Sequence, residues 1–233
     1  MTDSPPRRND VSAVVGLVLI LGFTVLWRWH TIGPIPFTSA LEGTIVRSGE
    51  TEPLDFLSPY GCSKGAADQY VLDFSRIYQI PATAFRQSCI YGTRQFGVED
   101  QGWVAWFAIA SLLGRDITIF GDGKQVRDVL HVNDLLHAYE AAILSPDKIA
   151  GQAFNVGGGP KQTLSLLELI KLLESRLGRK IPLRFDDWRP GDQEVYVSDI
   201  RKLADALEWK PAIGVAEGIS QLTEWVERNR SSF

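Results

Sequence analysis

Apolar side chains recur at helical spacing along residues 60–78. Lys64 interrupts this stripe, and burying an ammonium without a partner costs several kcal/mol. Such a local inconsistency is typical of a functional site. We expect the stripe to form the core-facing side of an amphipathic helix. Its members are Tyr60, Lys64, Ala67, Val71, Phe74 and Tyr78.

After residue 78 the pattern alternates between strand-like and helical segments. In the clearest helix, Ser165 and Glu168 predict a capping box and Gly178 predicts the end, while Ser198 is the predicted cap of a later helix. Alternating strands and helices predict an α/β fold with parallel strands. The predicted strands cover 82–91, 117–120, 126–132, 153–156 and 183–185. The predicted helices cover 103–113, 134–144, 166–177, 200–207 and 215–226.

Residues 11–27 differ from the rest of the chain, because they form an uncharged apolar run with basic residues on both flanks. Their length is at the short limit for a helix that spans a bilayer. We expect an apolar helix that contacts or anchors in a membrane, and a core helix or a strand-turn-strand is the alternative. Pro and Gly punctuate residues 31–56, which predicts a linker. The expected boundary separates an N-terminal segment, 1–43, from an α/β unit, 44–233.

The composition excludes several classes of function. The chain has 233 residues and a net charge of -4, which argues against nucleic acid as a partner. Cys62 and Cys89 give neither a disulfide framework nor a zinc-ligand spacing, and the histidines are scattered, so we predict no metal site. Cysteines without such a framework are typical of a reducing compartment, and we expect a cytoplasmic location unless residues 11–27 provide an anchor.

Tyr60 and Lys64 lie one helical turn apart at the start of the predicted helix. An ammonium held beside a phenol favours the phenolate, and a phenolate can accept a proton from a substrate hydroxyl. These two residues are therefore candidate catalytic residues. The alternative is an incidental contact between neighbours on a helix, since a motif of two positions has a high false-positive rate.

Two arginines, Arg127 after the Gly121-Asp122-Gly123 turn and Arg189 in the Arg-Pro-Gly-Asp segment, lie near predicted strand ends. Open α/β sheets bind ligands in the loops after their strands. Guanidiniums on separate loops are suited to clamping a diphosphate from two sides. Cys89, at the end of another predicted strand, is a candidate ligand contact, and a buried small hydrophobe is the alternative. For the arginines the alternative is a surface salt bridge, between Arg127 and Asp122 or Asp128, and between Arg189 and Asp187 or Asp192.

Two glycine patterns bear on nucleotide binding. The three glycines at 157–159 are not followed by Lys-Ser/Thr, so they indicate a tight strand exit rather than a nucleotide P-loop. No Gly-x-Gly-x-x-Gly motif precedes Tyr60. The motif with which α/β folds bind a dinucleotide pyrophosphate is therefore not recognisable before the candidate helix.

From residue 43 onward, several short motifs occur in an order that is more informative than any one of them. Over this length the chain resembles the C-terminal portion of the extended short-chain dehydrogenase/reductase family, the NAD-dependent nucleotide-sugar epimerases and dehydratases. The resemblance implies the C-terminal part of a Rossmann-type parallel sheet plus a small α/β substrate-binding lobe. The motifs are Tyr60-x-x-x-Lys64, the strand end 86–92, Gly121-Asp122-Gly123, Arg127-Asp128, Val132-x-Asp134, Phe154-Asn155-Val156-Gly157, Arg189-Pro190-Gly191-Asp192 and Leu207-x-Trp209-x-Pro211.

The same resemblance implies NAD as cofactor and a nucleotide-diphosphate sugar as substrate. It implies that Tyr60 exchanges a proton with the sugar, that Lys64 contacts the nicotinamide ribose, and that Arg86 and Ser88 also lie at the cofactor. A homodimer through the exposed faces of the helices at 60–78 and 103–113 is a further implication. The implied substrate-binding residues are Cys89, Gln101, Trp103, Arg127 and Arg189.

The implied reaction is 2-epimerisation of a nucleotide sugar. A 4-epimerase and a 4,6-dehydratase are the enzymatic alternatives. A protein tethered to a membrane that binds nucleotide sugar but not NAD is a third possibility, because the family's cofactor motif is not recognisable before Tyr60. Cys89 and Thr93 depart from the pattern, since most relatives carry asparagine and proline at these positions.

Overall fold

The computed structural model describes residues 48–54, 56 and 58–233, together with the backbone of 20–22. The strands are β1 (Ile20–Gly22), β2 (Ala84–Gln87), β3 (Cys89–Tyr91), β4 (Ile117–Phe120), β5 (Val126–His131), β6 (Ala153–Val156), β7 (Thr163–Ser165), β8 (Leu183–Asp186) and β9 (Val195–Tyr196). The helices are α1 (Pro59–Tyr78), α2 (Trp103–Leu113), α3 (Val132–Leu144), α4 (Pro146–Ile149), α5 (Leu166–Leu177), α6 (Arg201–Leu207) and α7 (Val215–Arg228). Short 3-10 segments lie at Gly159–Lys161 and Arg230–Ser232.

A three-stranded parallel sheet with the order β1-β2-β6 supports α1. Successive side chains of a strand point to opposite faces of the sheet. Accordingly, Ala84 and Ala153 pack with Val71 of α1, whereas Phe85 and Phe154 pack with α3 and α6 on the other face. β2 and β6 are buried at every position, as is typical of parallel strands that are covered on both faces.

The predicted strand over 82–91 is two strands, because the chain changes sheets at Ser88. After this residue, β3 pairs with β5 in a second sheet that also contains β7 and β9. The Ser88 N–H still donates to the Val156 carbonyl at 2.9 Å, and its hydroxyl bonds Asp128 of β5. At Gly157, a Cβ would come within 2.3 Å of the Asp128 carboxylate. The glycines at 157–159 thus form the tight strand exit that the sequence predicts.

The larger core is built around α2, in which eight of eleven residues are buried against α5, α7 and neighbouring strands. Its predicted end at Gly114 is confirmed by a left-handed φ of 70°. The predicted capping box of Ser165 and Glu168 is also confirmed, with both reciprocal hydrogen bonds present at the start of α5. The predicted cap at Ser198 is wrong, because Ile200 precedes the first turn of α6.

α1 presents a different face to the core from the one predicted. Phe74 and Tyr78 belong to the predicted stripe, but they are 49% and 63% exposed. The prediction is confirmed for Val71 and wrong for Phe74 and Tyr78, because small residues bring the helix close to its neighbours and because one carboxylate on the buried face has a buried partner. The buried residues of α1 are Gly61, Gly65, Asp68, Val71 and Ser75.

That carboxylate belongs to Asp68, which binds the Arg86 guanidinium of β2 in a bidentate pair. The Nε–Oδ1 distance is 3.1 Å and the Nη2–Oδ2 distance is 2.8 Å. Both side chains are almost completely buried, and Arg86 Nη1 also donates to the Glu50 carbonyl at 2.9 Å. Two parallel hydrogen bonds fix orientation as well as distance. The pair therefore sets how α1, and Tyr60 with it, lies on the sheet.

The N-terminal helix prediction is corrected where the structure describes this region. Ile20–Gly22 form a strand that pairs with β2, not a turn of helix. The remainder of 11–27, and of the predicted segment 1–43, lies outside the described residues. In the described part of the chain, every helix is too short or too polar to cross a membrane.

Replacing Asp68 by Ala should destabilise the fold by about 3–5 kcal/mol, because it leaves the buried Arg86 charge without its partner. Asp73→Ala is the matched control, since Asp73 lies on the same helix in an exposed pair with Arg76. This control should change stability by less than about 1 kcal/mol. Urea unfolding followed by circular dichroism measures both values. Equal stabilities for the two variants would contradict the anchoring role of the buried pair.

Candidate active site

Trp103 and Cys89 meet where the first turn of α2 packs against β3. The Trp103 indole Nε1–H donates to Cys89 Sγ at 3.4 Å. Gly102 makes this approach possible, because it adopts a left-handed φ of 74° before the helix begins. Two of the predicted substrate-binding residues therefore lie in contact.

Arg127 lies in β5, the strand that pairs with β3. Its Nη2 donates to Asp192 Oδ1 at 2.8 Å, and its Nη1 donates to the Val126 carbonyl at 2.9 Å. The side chain is only 11% exposed. The ion pair joins two segments that are 65 residues apart, so it brings the Arg-Pro-Gly-Asp loop that begins at Arg189 against the strand that carries Arg127.

Arg189 lies at the outer side of this loop. Its guanidinium carbon is 3.9 Å from the centroid of the Phe120 ring, which is a cation–π distance. Its Nη2 is 3.1 Å from Asp100 Oδ1. Asp100 precedes Gln101 in a turn that is closed by two backbone hydrogen bonds between Val98 and Gln101. Arg189 is thus connected to the residues that lead into α2.

These contacts bring the five predicted substrate-binding residues into one group, which we call the arginine cluster. Cys89 contacts Trp103 at the start of α2, and Asp100, which precedes Gln101, pairs with Arg189. Asp192 of the Arg189 loop pairs with Arg127, which lies in the strand next to the one that carries Cys89. Their individual roles remain predictions. The cluster consists of Cys89, Gln101, Trp103, Arg127 and Arg189.

Burial dominates the electrostatics beside the cluster. It raises the pKa of the Cys89 thiol, and the nearby Arg127 charge lowers this pKa in part. Asp128, between β2 and the strand exit at 157–159, is completely buried. Burial raises the pKa of its carboxyl, against hydrogen bonds from the Ser88 hydroxyl and the Gly159 N–H. The buried side of the cluster, at Cys89 and Asp128, is therefore a low-dielectric region, and the nearby Arg127 charge is paired with Asp192.

Two predicted cofactor-binding residues have partners within the protein. The guanidinium of Arg86 is buried in the pair with Asp68, and its role at the cofactor stays a prediction. Ser88 directs its hydroxyl to Asp128, at 2.7 Å from the carbonyl oxygen and 2.5 Å from the carboxylate. In the described structure both side chains hold elements together.

Tyr60 and Lys64 lie in the first turns of α1, after the N-cap Ser58. Tyr60 is 54% exposed, and the Lys64 Nζ is 5.4 Å from the centroid of its ring. Within residues 48–54, 56 and 58–233, neither side chain makes a hydrogen bond or ion pair to the arginine cluster. The structure therefore keeps the phenol and the ammonium together, as predicted, but does not join them to the substrate-binding candidates.

Sequence reasoning missed the residues that organise the arginine cluster. Asp192 was considered a partner of Arg189, but it pairs with Arg127. Asp100 and Phe120 hold Arg189, and neither was singled out. Asp192 had a recognisable signal in the Arg-Pro-Gly-Asp motif. Asp100 had none, because it is 89 residues away from its partner in the chain.

A separate cavity of about 1200 Å³ opens between α5 and the loop before α7. It contains none of the predicted site residues, and Gly158, Pro160 and Pro211 are among the residues that line it. The candidate residues Cys89 and Arg127 lie instead in β3 and β5.

Comparisons with known proteins agree on one family. Residues 40–157 match the model of the NAD dependent epimerase/dehydratase family. The chain is 47% identical over 183 residues to CDP-paratose 2-epimerase of Salmonella typhi, covering 76% of this chain and 54% of that protein. It is 32% identical over 232 residues to a putative UDP-glucose 4-epimerase of Methanocaldococcus jannaschii, covering 97% of this chain and 72% of the relative.

A solved structure gives the same result. UDP-glucose 4-epimerase from Thermotoga maritima, determined with UDP-glucose, superposes with a TM-score of 0.72 at 30% sequence identity. The superposition covers 80% of this chain and 59% of that protein. The chain thus covers 54% of the Salmonella typhi protein and 59% of the Thermotoga maritima protein, and it has a Rossmann-like α/β fold.

The two cysteines should react differently with a thiol reagent such as 5,5′-dithiobis(2-nitrobenzoate). Cys62 is exposed, whereas Cys89 is partly buried and accepts a hydrogen bond from the Trp103 indole. Burial also raises the pKa of the Cys89 thiol. At pH 8 we expect a fast phase from Cys62 and a phase at least about tenfold slower from Cys89, since the thiolate is the reactive form. Cys62→Ser should remove only the fast phase. Two equally fast phases in the native protein would refute the burial of the Cys89 thiol.

Proposed function

Because the chain belongs to the NAD dependent epimerase/dehydratase family, we propose that it carries the substrate-binding part of a nucleotide-sugar 2-epimerase that acts on CDP-paratose. The 47% identity to the Salmonella typhi enzyme supports this choice of sugar and position. The observation that carries the proposal is that Asp192 joins Arg127 to the Arg189 loop, while Asp100 joins Arg189 to the residues that lead into α2. Activity, substrate and partners of the whole protein are all part of the proposal.

The two arginines are suited to the diphosphate of a nucleotide sugar. A guanidinium has five N–H donors, and Arg127 uses Nη1 and Nη2 in its two hydrogen bonds within the protein. Further donors of Arg127 and of Arg189 are therefore available to phosphoryl oxygens. The Arg189 guanidinium lies over the Phe120 ring, so less rotational freedom is lost when an anion binds. The neighbouring Trp103 and Gln101 offer a ring and an amide to the rest of the substrate.

Tyr60 and Lys64 fit one end of an NAD molecule. A half-exposed phenol with an ammonium 5.4 Å from its ring supplies the hydrogen-bonding groups and the positive charge that a nicotinamide ribose and a reacting hydroxyl require. When bound, the nicotinamide supplies a reversible hydride acceptor for the sugar carbon. The whole sequence contains no Gly-x-Gly-x-x-Gly, so we assign no residue of this chain to the pyrophosphate of the dinucleotide.

In the proposed reaction, Tyr60 accepts the proton of the sugar C2 hydroxyl as the carbon is oxidised to a ketone. Lys64 stabilises the phenolate form of Tyr60 that accepts this proton, and it holds a ribose hydroxyl. Tyr60 returns the proton when the ketone is reduced from its opposite face. The net result is inversion at C2 without net oxidation, with the proton and the hydride each removed and restored.

We further propose a homodimer through the exposed face of α1. The rings of Phe74 and Tyr78 are in contact, with 5.1 Å between their centroids, and Tyr70 on the same helix is 67% exposed. An aromatic surface of this kind is typical of a protein interface. A cytoplasmic location fits the proposed use of NAD and nucleotide sugar and the two free cysteines of the described structure.

The function is tested by incubating the purified full-length protein with NAD and CDP-paratose and identifying the product by nuclear magnetic resonance. We expect the C2 epimer. UDP-glucose is the parallel substrate, because the chain also aligns over nearly its whole length with a putative UDP-glucose 4-epimerase. Turnover of UDP-glucose alone would replace the 2-epimerase assignment by a 4-epimerase. Binding of a CDP-sugar without turnover and without NAD would favour a non-catalytic nucleotide-sugar-binding protein.

Tyr60→Phe should lower kcat by about 100- to 10,000-fold, because it removes the group that exchanges the proton. The affinity for the nucleotide sugar should stay within about threefold, since the phenol hydroxyl is remote from the diphosphate contacts. Tyr70→Phe is the matched control, being another exposed tyrosine of α1, and it should leave kcat unchanged. Unchanged turnover in Tyr60→Phe would rule out the assigned proton transfer.

A further inference from the structure

The two arginines of the cluster differ in how firmly the protein holds them. Arg127 is nearly buried, and its partner Asp192 also accepts the Gln193 N–H at 3.0 Å, so this pair is part of the loop's own hydrogen bonding. Arg189 is 37% exposed, and its partner Asp100 is 90% exposed. The first pair is therefore structural, whereas the second faces solvent.

The position of Arg189 does not depend on Asp100. Its guanidinium lies over the Phe120 ring at 3.9 Å, and this stacking remains when the carboxylate leaves. The side chain of Asp100 has Arg189 as its ion-pair partner, and within the described residues it makes no other hydrogen bond. An exposed ion pair of this kind is only marginally stable in water. Arg189 is thus preoriented by an aromatic ring and covered by an anion that exchanges easily.

The backbone around Asp100 also favours exchange. The residue lies at the tip of a short turn whose ends, Val98 and Gln101, are tied to each other by two hydrogen bonds. The same segment is anchored elsewhere, since Phe96 packs on Trp225 and Phe233 with ring centroids 5.5 and 5.0 Å away. The carboxylate can therefore swing away by side-chain rotation, without unfolding the segment that carries it.

From this asymmetry we propose that Asp100 occupies the anion position of Arg189 in the ligand-free protein and is displaced by the diphosphate of the nucleotide sugar. This inference rests on the proposed function and adds a residue that tunes affinity at the same site. Asp100 touches no reacting atom in this scheme. It competes with the ligand for one guanidinium, so a ligand stays only if it binds Arg189 more strongly than the Asp100 carboxylate does.

The test is titration calorimetry of the full chain with CDP, a nucleoside diphosphate without the sugar. Asp100→Asn keeps the shape of the side chain and removes its charge, so CDP should bind about two- to fivefold more tightly. Glu99→Gln is the matched control, because it removes the same charge from the adjacent exposed residue, which has no ion pair within the described structure. The control should show a smaller gain.

A double-mutant cycle then identifies the partner. In an Arg189→Ala background, the gain from Asp100→Asn should fall to that of Glu99→Gln. The inference is overturned if Asp100→Asn matches the control, if it weakens binding, or if its gain persists without Arg189. If neither the native protein nor Asp100→Asn binds CDP, the proposed function fails first, and the role of Asp100 falls with it. If Asp100→Asn binds CDP tightly and the native protein does not, both the proposed function and the role of Asp100 are supported.

Discussion

The buried Asp128 carboxylate is the interaction on which the arrangement of the site depends. It joins the point where the chain changes sheets, at Ser88, to the strand exit at Gly159. Its neighbours along the two strands are the site candidates Cys89 and Arg127. A buried carboxylate that lacked these hydrogen bonds would be costly, so the two sheets are held in the one relative position that satisfies it. The positions of Cys89 and Arg127 within the arginine cluster therefore depend on the hydrogen bonds of Asp128.

The same logic explains which parts of the fold could be predicted from the sequence. The ends of α2 and α5 were predictable, because a left-handed glycine and a capping box act within one turn. The core face of α1 was not predictable, because it depends on a partner for Asp68 that lies on another element. Hydrophobic periodicity treats an aspartate as a surface residue. The break at Ser88 was missed for a similar reason, since no Gly or Pro separates the two halves and only their pairing distinguishes them.

The site shows the same division between local and long-range information. Arg127 and Arg189 could be named from short motifs, but their partners are 65 and 89 residues away along the chain. Sequence patterns gave no means of choosing between a ligand role and a salt bridge for these arginines. The structure shows that each arginine forms an ion pair within the protein. Arg86, by contrast, is buried with its partner Asp68 and also donates to the Glu50 carbonyl, so its guanidinium holds elements of the fold together.

Burial therefore distinguishes the three arginine pairs more usefully than residue type does. An arginine in a buried bidentate pair cannot change partner without leaving a charge in a low-dielectric region. A half-exposed arginine on an aromatic ring keeps its position whichever anion it binds, because the ring supplies the orientation. Arg86, Arg127 and Arg189 form a series of increasing exposure in this respect. The protein thus has one arginine that fixes a helix, one that fixes a loop, and one whose anion is exchangeable, and ligand affinity is best tuned at the last.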